Sequence, residues 1–307
     1  MDGLLRVHWK QWSALGVASQ ILPEENRIID LEPLIASTQA IGAHDRRLLL
    51  SATEWIERND ARVNHSRLHR IQRMFSMQRQ GDGEENALPV VAETVPGSVQ
   101  ERRSQYRRQS EKIADFFVRY PSHLQFRLRG LLGITASADV LLYLLIFDGG
   151  NSNAIAEEIC HDQKNVYRIL EQWAKTGIVK KAGKRKDGAS SLHAYHLIGK
   201  QRWGDIFEYI DVSTQKCNYP NLHNWRRTFL ALDRLAEALS DSRLTGDEYL
   251  MSTHFRDIHP IFDAIGTEGK IDVPSPKRFQ GSEYFAPFAL AMIRIVEWLS
   301  SPKIPSD

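Results

Sequence analysis

Cysteine is scarce in this 307-residue chain: Cys160 and Cys217 stand far apart and neither belongs to a Cys-x-x-Cys pair, which disfavours zinc ribbons and redox motifs. A buried thiol is the expectation for Cys160. Long hydrophobic runs are also missing. None approaches the roughly 18 residues of a membrane span, and the longest, Val140 to Phe147, interrupted only by Tyr143, fits a buried helix. The opening Met1-Asp2-Gly3-Leu4-Leu5-Arg6 has no basic segment leading into an apolar one, so no signal peptide is expected and the default compartment is cytoplasmic. Catalytic signatures are absent as well: no Gly-x-Ser-x-Gly elbow, no Walker phosphate loop, no Gly-x-Gly-x-x-Gly after a strand, no His-Glu-x-x-His. The expectation is a non-enzyme without cofactor or metal.

Two histidine groupings bear on that expectation. His65 and His69 lie one helical turn apart with Arg73 beyond them, and no carboxylate sits among them to suggest a hydrolytic site. In His254-Phe255-Arg256-Asp257-Ile258-His259-Pro260 the histidines are five positions apart, which on a helix points them in different directions. Pro260 suggests that this segment is ending, and a capping or surface role is expected for its polar groups.

Net charge is close to zero, at +2, so a nucleic-acid binder of this composition must concentrate its positive charge locally. Between Asp162 and Arg202 it does. Lys164, Arg168, Lys175, Lys180, Lys181, Lys184, Arg185, Lys186, Lys200 and Arg202 face only Asp162, Glu171 and Asp187.

The same stretch has the most regular pattern in the chain. Val140, Leu141, Leu144 and Leu145 recur at helical spacing from about Ser137 to Phe147, where Asp148-Gly149-Gly150 stops them. A short second helix, Ala154 to Cys160, follows the cap residues Asn151, Ser152 and Asn153 and buries Ile155, Ala156 and Ile159. The third places Val166, Ile169, Leu170 and Trp173 at i, i+3, i+4 and i+7, is capped by Asp162 and stops at Gly177. On its opposite line lie Lys164, Arg168, Glu171 and Lys175, flanked by Asn165 and Tyr167. A strand over Ile178 to Lys181, a turn carrying Lys184, Arg185, Lys186 and the pair Asp187-Gly188, and a returning strand over Leu192 to Leu197 complete a hairpin.

Val166-Tyr167-Arg168-Ile169-Leu170-Glu171-Gln172-Trp173-Ala174-Lys175-Thr176-Gly177-Ile178-Val179 resembles the recognition helix and following strand of winged helix regulators of the MarR and ArsR type. The resemblance covers roughly a fifth of the chain and departs from such proteins in one respect: the turn between the second and third helices has no glycine. It implies base reading by the third helix in the major groove of double-stranded DNA, and phosphate or minor-groove contact by the wing. The expected DNA-binding residues are Lys164, Asn165, Tyr167, Arg168, Lys175, Lys184, Arg185 and Lys186.

The flanks read as helical. Residues 1–78 carry three helical patterns, the last of which, Asn64 to Met77, sets Arg62, Arg67, Arg70 and Arg73 against Leu68, Ile71, Met74 and Phe75. Residues 79–98 shift to Gly, Glu and Pro and read as a linker or loop, and residues 99–134 as connecting helices with Pro121 ending the longest. After the winged module, residues 135–200, comes a helical region over residues 201–307 with a loop from Gly266 to Gly281. Ile206 to Ile210 fits a strand or a short helix. The expected fold is therefore mainly α with a central winged helix-turn-helix, acting as a DNA-binding transcriptional regulator and as a homodimer, since dimers read palindromic sites. The helical flanks would dimerise, bind a small-molecule effector or dock a protein; the alternative function is an interaction adaptor that uses the winged module as a scaffold.

Overall fold

The computed structural model describes residues 1–17, 19–80, 120–182, 193–207, 209–211 and 216–301. Residues 81–98 of the expected linker, all of the expected Val99 to Tyr120 helix except Tyr120, and the cations Lys184, Arg185 and Lys186 lie outside the described residues. Within them the protein is mainly helical, with two small antiparallel sheets of two strands each. No described helix is long and apolar enough to cross a membrane.

The first half contributes α1 (Asp2–Ala14), α2 (Leu31–Ile41), α3 (Arg46–Asn59), α4 (His65–Gln80), α5 (Leu124–Leu132) and α6 (Ala136–Ile146). Then come α7 (Ser152–Glu158), α8 (Gln163–Lys175), the strands β1 (Val179–Lys181) and β2 (Tyr195–Leu197), and α9 (Lys200–Ile206). After the strands β3 (Ile210–Asp211) and β4 (Lys216–Cys217), the chain finishes with α10 (Trp225–Ser240), α11 (Ser242–Thr245), α12 (Glu248–Glu268) and α13 (Phe285–Ser300).

These elements form two compact units, neither continuous in sequence. One comprises Met1–Glu24, Asp30–Arg58 and Asn224–Asp307; the other comprises Glu25–Ile29 and Asn59–His223. The sequence partition kept residues 1–78 and residues 201–307 as separate regions, whereas the contacts join the two chain ends and divide the first region at Arg58. The physical reason is that α1 and α2 find their apolar complements on α13 and α10. Loop-closure entropy grows only logarithmically with length, so a partner two hundred residues away costs little more than a near one.

In the unit made from the chain ends, Trp12 meets Trp55 edge-on with ring centres 5.5 Å apart and donates its indole N–H to Thr38 Oγ1 at 2.9 Å. Phe288 of α13 packs on Phe255 and Phe262 of α12. Here the expectation drawn from Pro260 fails: α12 runs straight through it to Glu268, so Gly266 is helical and the loop begins later than expected. Pro260 removes one backbone bond, at a cost of about 3 kcal/mol. Ending the helix there would expose Phe262 and Ile265, which are buried, and each such side chain contributes about 1.5–3 kcal/mol. The proline ring sits on the exposed side, where it displaces nothing in the core. His259 is half-buried against the rings of Tyr284 and Phe288, not at a cap or on the surface.

In the other unit α6 is apolar on both faces because two cores need it. Val140, Tyr143 and Leu144 pack with Ile155 of α7 and Ile159 just beyond its end, Val166 and Leu170 of α8, Val179 of β1 and Tyr195 of β2. Ala138, Leu141, Leu142 and Leu145 pack with Leu124 and Leu128 of α5, with Ile28, and with Phe207 and Tyr209. A helix hydrophobic all round is a buried helix, and that is how the run from Val140 is used. The region left open between strand and short helix resolves into both: α9 ends at Ile206 and β3 begins at Ile210.

Candidate functional site

The outward face of α8 is held in place by local chemistry at both ends. Asp162 Oδ1 accepts the backbone N–H of Asn165 at 3.0 Å, capping the first turn. At the other end Gly177 adopts φ +75°, which lets Ile178 N–H reach Trp173 O at 2.9 Å and Gly177 N–H reach Ala174 O at 3.4 Å. This is a Schellman closure, with Ile178 and Trp173 both against the core. The same closure ends α7 without a glycine. Cys160 itself takes the left-handed position, φ 55°, while His161 N–H bonds Ala156 O at 2.9 Å and Cys160 N–H bonds Glu157 O at 3.3 Å. The left-handed conformation of a side-chain-bearing residue costs roughly 1–2 kcal/mol, offset here by burial of the thiol, whose Sγ lies 3.6 Å from Met74 Sδ.

Beside α8, β1 and β2 pair antiparallel with Val179 opposite Leu197 and Lys181 opposite Tyr195. A third segment joins them, because Gly150 exchanges both backbone hydrogen bonds with Tyr195, at 2.9 and 3.2 Å. Gly149 makes that approach possible: its φ is +108°, and a Cβ there would stand 2.5 Å from Tyr195 O.

The sequence reading set Glu171 on the outward line of α8, but its carboxylate is turned to the hairpin, accepting from Lys181 Nζ at 2.6 Å and from the Tyr195 hydroxyl at 2.5 Å. Those two bonds hold Glu171 below the usual carboxylate range, and burial followed by the Glu171 bond raises Tyr195. Lys181 is thereby engaged within the fold. So is Lys200, whose ammonium donates to the terminal carbonyls of α6, Ile146 O at 3.1 Å and Phe147 O at 3.3 Å. Toward solvent, Lys164, Tyr167, Arg168 and Lys175 on α8, Lys180 on β1 and Arg202 on α9 are exposed, and Asn165 is half-exposed. Arg168 Nη2 donates to Asn165 Oδ1 at 3.2 Å, so these two act as a pair. The fold thus brings together the five α8 residues singled out in the sequence.

Behind this face lies a buried charged network that the sequence reading missed. Asp139 of α6 is 1% exposed and accepts from Arg129 Nη2 at 3.2 and 3.3 Å, from Gln125 Nε2 at 3.2 Å and from His161 Nε2 at 2.8 Å. Burial opposes the charged carboxylate, yet the Arg129 guanidinium, the His161 bond and the Arg67 charge together outweigh it and hold Asp139 well below the usual range. Arg67 was expected on a basic outer side of α4. Instead it is 3% exposed and its Nε donates to Ile159 O at 2.7 Å, because position 67 precedes Ile71 and Phe75 by one and two turns on the buried face. Arg67, Arg129 and Asp139 therefore converge on the turn between α7 and α8. A carboxylate within the apolar sequence Ala138-Asp139-Val140-Leu141 was the available signal, since a buried charge requires partners.

Among the described residues no group of three His, Cys, Asp or Glu side chains could hold a metal ion, and His65 pairs with Asp60 at 3.0 Å on the surface. Ser37 lies between His8 Nε2, at 2.8 Å, and Asp233 Oδ1, to which it donates at 2.7 Å. All three are at most 4% exposed, so no substrate reaches the hydroxyl. Burial lowers the His8 pKa to about 4, which keeps it neutral near pH 7. No family model, curated protein or solved structure matches this chain.

Proposed function

We propose that the segment from α6 to β2 is a winged helix-turn-helix that binds double-stranded DNA, with α8 in the major groove, and that the protein is a sequence-specific transcriptional regulator acting as a homodimer. The observation carrying this reading is the division of α8 into two sides. Val166 and Leu170 are fully buried, while Lys164, Tyr167, Arg168 and Lys175 are exposed on one continuous face beside the hairpin. Arginine and asparagine are the side chains that pair in bidentate fashion with guanine and adenine edges, and lysines suit phosphates.

Replacing Lys164, Lys175 and Lys180 together by Gln is expected to weaken binding to every duplex and to flatten its salt dependence. At about 0.9 per phosphate contact, the slope of log affinity against log salt should fall by roughly 2 to 3 units. Fluorescence anisotropy from 50 to 300 mM salt measures it, and an unchanged slope would remove these lysines from the phosphate backbone. A dimer reads a palindrome with two such helices, so sedimentation equilibrium should give a mass near twice the 35.2 kDa of one chain. A monomer at all concentrations would overturn the dimeric part of the proposal.

A further inference from the structure

Between His65 and Gln80, α4 holds four arginines and no carboxylate. It meets the turn that leads into α8 along one edge, marked by two contacts: Arg67 Nε donates to Ile159 O at 2.7 Å, and Met74 Sδ lies 3.6 Å from Cys160 Sγ. At about 100° per residue, positions 67 and 74 share one side of the helix, and Arg70 and Arg73 follow at roughly 60° and 120° from Arg67. Leu68, Ile71 and Phe75 turn the other way, into the core. Arg73 is exposed and Arg70 half-exposed, so the flank of α4 that borders the turn from outside is an arginine flank. The turn ends at Asp162, two residues before the exposed Lys164 of α8. The acids nearest in sequence are occupied. Asp162 Oδ1 caps the Asn165 N–H, Asp60 pairs with His65, and Glu157 and Glu158 each interact with another group of the chain.

We propose that Arg70 and Arg73 of α4 bind the phosphate backbone of the same duplex whose bases α8 reads, at the N-terminal end of α8. This contact presupposes the proposed reading of DNA by α8 and adds to it a phosphate-binding element from outside the segment α6 to β2. In helix-turn-helix complexes the reading helix enters the groove while neighbouring elements meet the backbone, and roughly half to two-thirds of the hydrogen bonds go to phosphate and sugar. Phosphate is the occupant that fits the flank by charge, and the guanidinium fork matches two of its oxygens at once.

The test uses the full chain and a fluorescent duplex carrying a site selected from genomic fragments, with anisotropy read from 50 to 300 mM salt. Arg70→Gln combined with Arg73→Gln should weaken binding and flatten the salt slope by about 0.9 per lost contact, or about 2 units for each protomer on the duplex. For one protomer, the parent's lead over the variant should then shrink roughly 25-fold across that salt range. The ratio of specific to non-specific affinity should stay unchanged, because phosphate contacts carry no sequence information. Arg70→Lys combined with Arg73→Lys keeps the charges and should keep the parental slope. Gln72→Arg, added to the double-glutamine variant on the far flank of α4, should not restore it. Should the glutamine pair disturb folding, Arg73→Gln alone, at the more exposed position, should still lose about 1 unit. A parental slope in the folded glutamine variant, while Arg168→Ala still lowers the specificity ratio, would overturn this contact and leave α8 as the reading element. Restoration by Gln72→Arg would overturn it by reducing the effect to net charge, and a fall in the specificity ratio by moving the arginines onto the bases. A parent chain that binds no duplex would sink both proposals together.

Discussion

Asp139→Ala is expected to cost about 3–5 kcal/mol of folding stability, the range for removing one partner of a buried ion pair. The cost arises because Arg129, which is 5% exposed, would be left facing an empty site with Arg67 nearby. Two like charges would then share a low-dielectric interior without the Asp139 carboxylate. Asp139→Asn keeps the shape and should still lose most of the stabilisation, since it removes the charge. The effect also has a pH signature. A carboxyl group held below its unfolded pKa of about 3.9 stabilises the fold fully above that value, and the stabilisation is lost as pH falls toward the depressed folded pKa. Urea midpoints of the parent and Asp139→Asn should therefore differ by a constant amount above about pH 5 and converge below about pH 4. A gap that stays constant down to pH 3 would mean that Asp139 is not the anion of this network. His161 immediately precedes the Asp162 cap of α8, so loss of the network should also loosen the face that is proposed to read DNA.

For the reading face, Arg168→Ala or Asn165→Ala is expected to cost on the order of 1–3 kcal/mol on the preferred duplex and much less on random DNA, so the ratio of specific to non-specific affinity falls by about 10- to 100-fold. The two residues hydrogen-bond one another at 3.2 Å. Their effects should therefore be less than additive: whichever is removed first releases the other from its partner, and the double variant should cost less than the sum. Lys175→Gln, one turn or more further along, should instead weaken both kinds of DNA similarly, leaving the ratio intact. Sites selected from genomic fragments supply the preferred duplex, and anisotropy at a single fixed salt concentration supplies the ratio. If both alanine variants leave that ratio unchanged while folded, α8 is not the reading element. The exposed face with Tyr167 at its centre would then belong to an interaction adaptor, since tyrosine is a frequent anchor of protein interfaces.

Local rules in the sequence were sufficient for much of this protein. Period, cap and stop signals specified α8 almost to the residue, because Asp162, the Val166–Leu170 stripe and Gly177 each act within one or two turns and need nothing distant. The same holds for the α6 run and for the presence of β1 and β2 after it.

Tertiary structure decided the features in which a residue's role depends on neighbours remote in sequence. Whether Arg67 faces solvent or Ile159, and whether Glu171 joins the outer line or clasps Lys181 and Tyr195, depends on an element packed from outside the helix, which helical periodicity does not encode. Pro260 reads locally as an end, and only the burial of Phe262 against Phe288 of α13 and of Ile265 makes continuing the favoured course. Cys160 could replace the usual glycine because the turn of chain around it buries the thiol beside Met74, a contact 86 residues away. The joining of the two chain ends into one unit has the same origin: apolar area is removed from water by whichever surface fits it, and sequence distance adds only a logarithmic penalty.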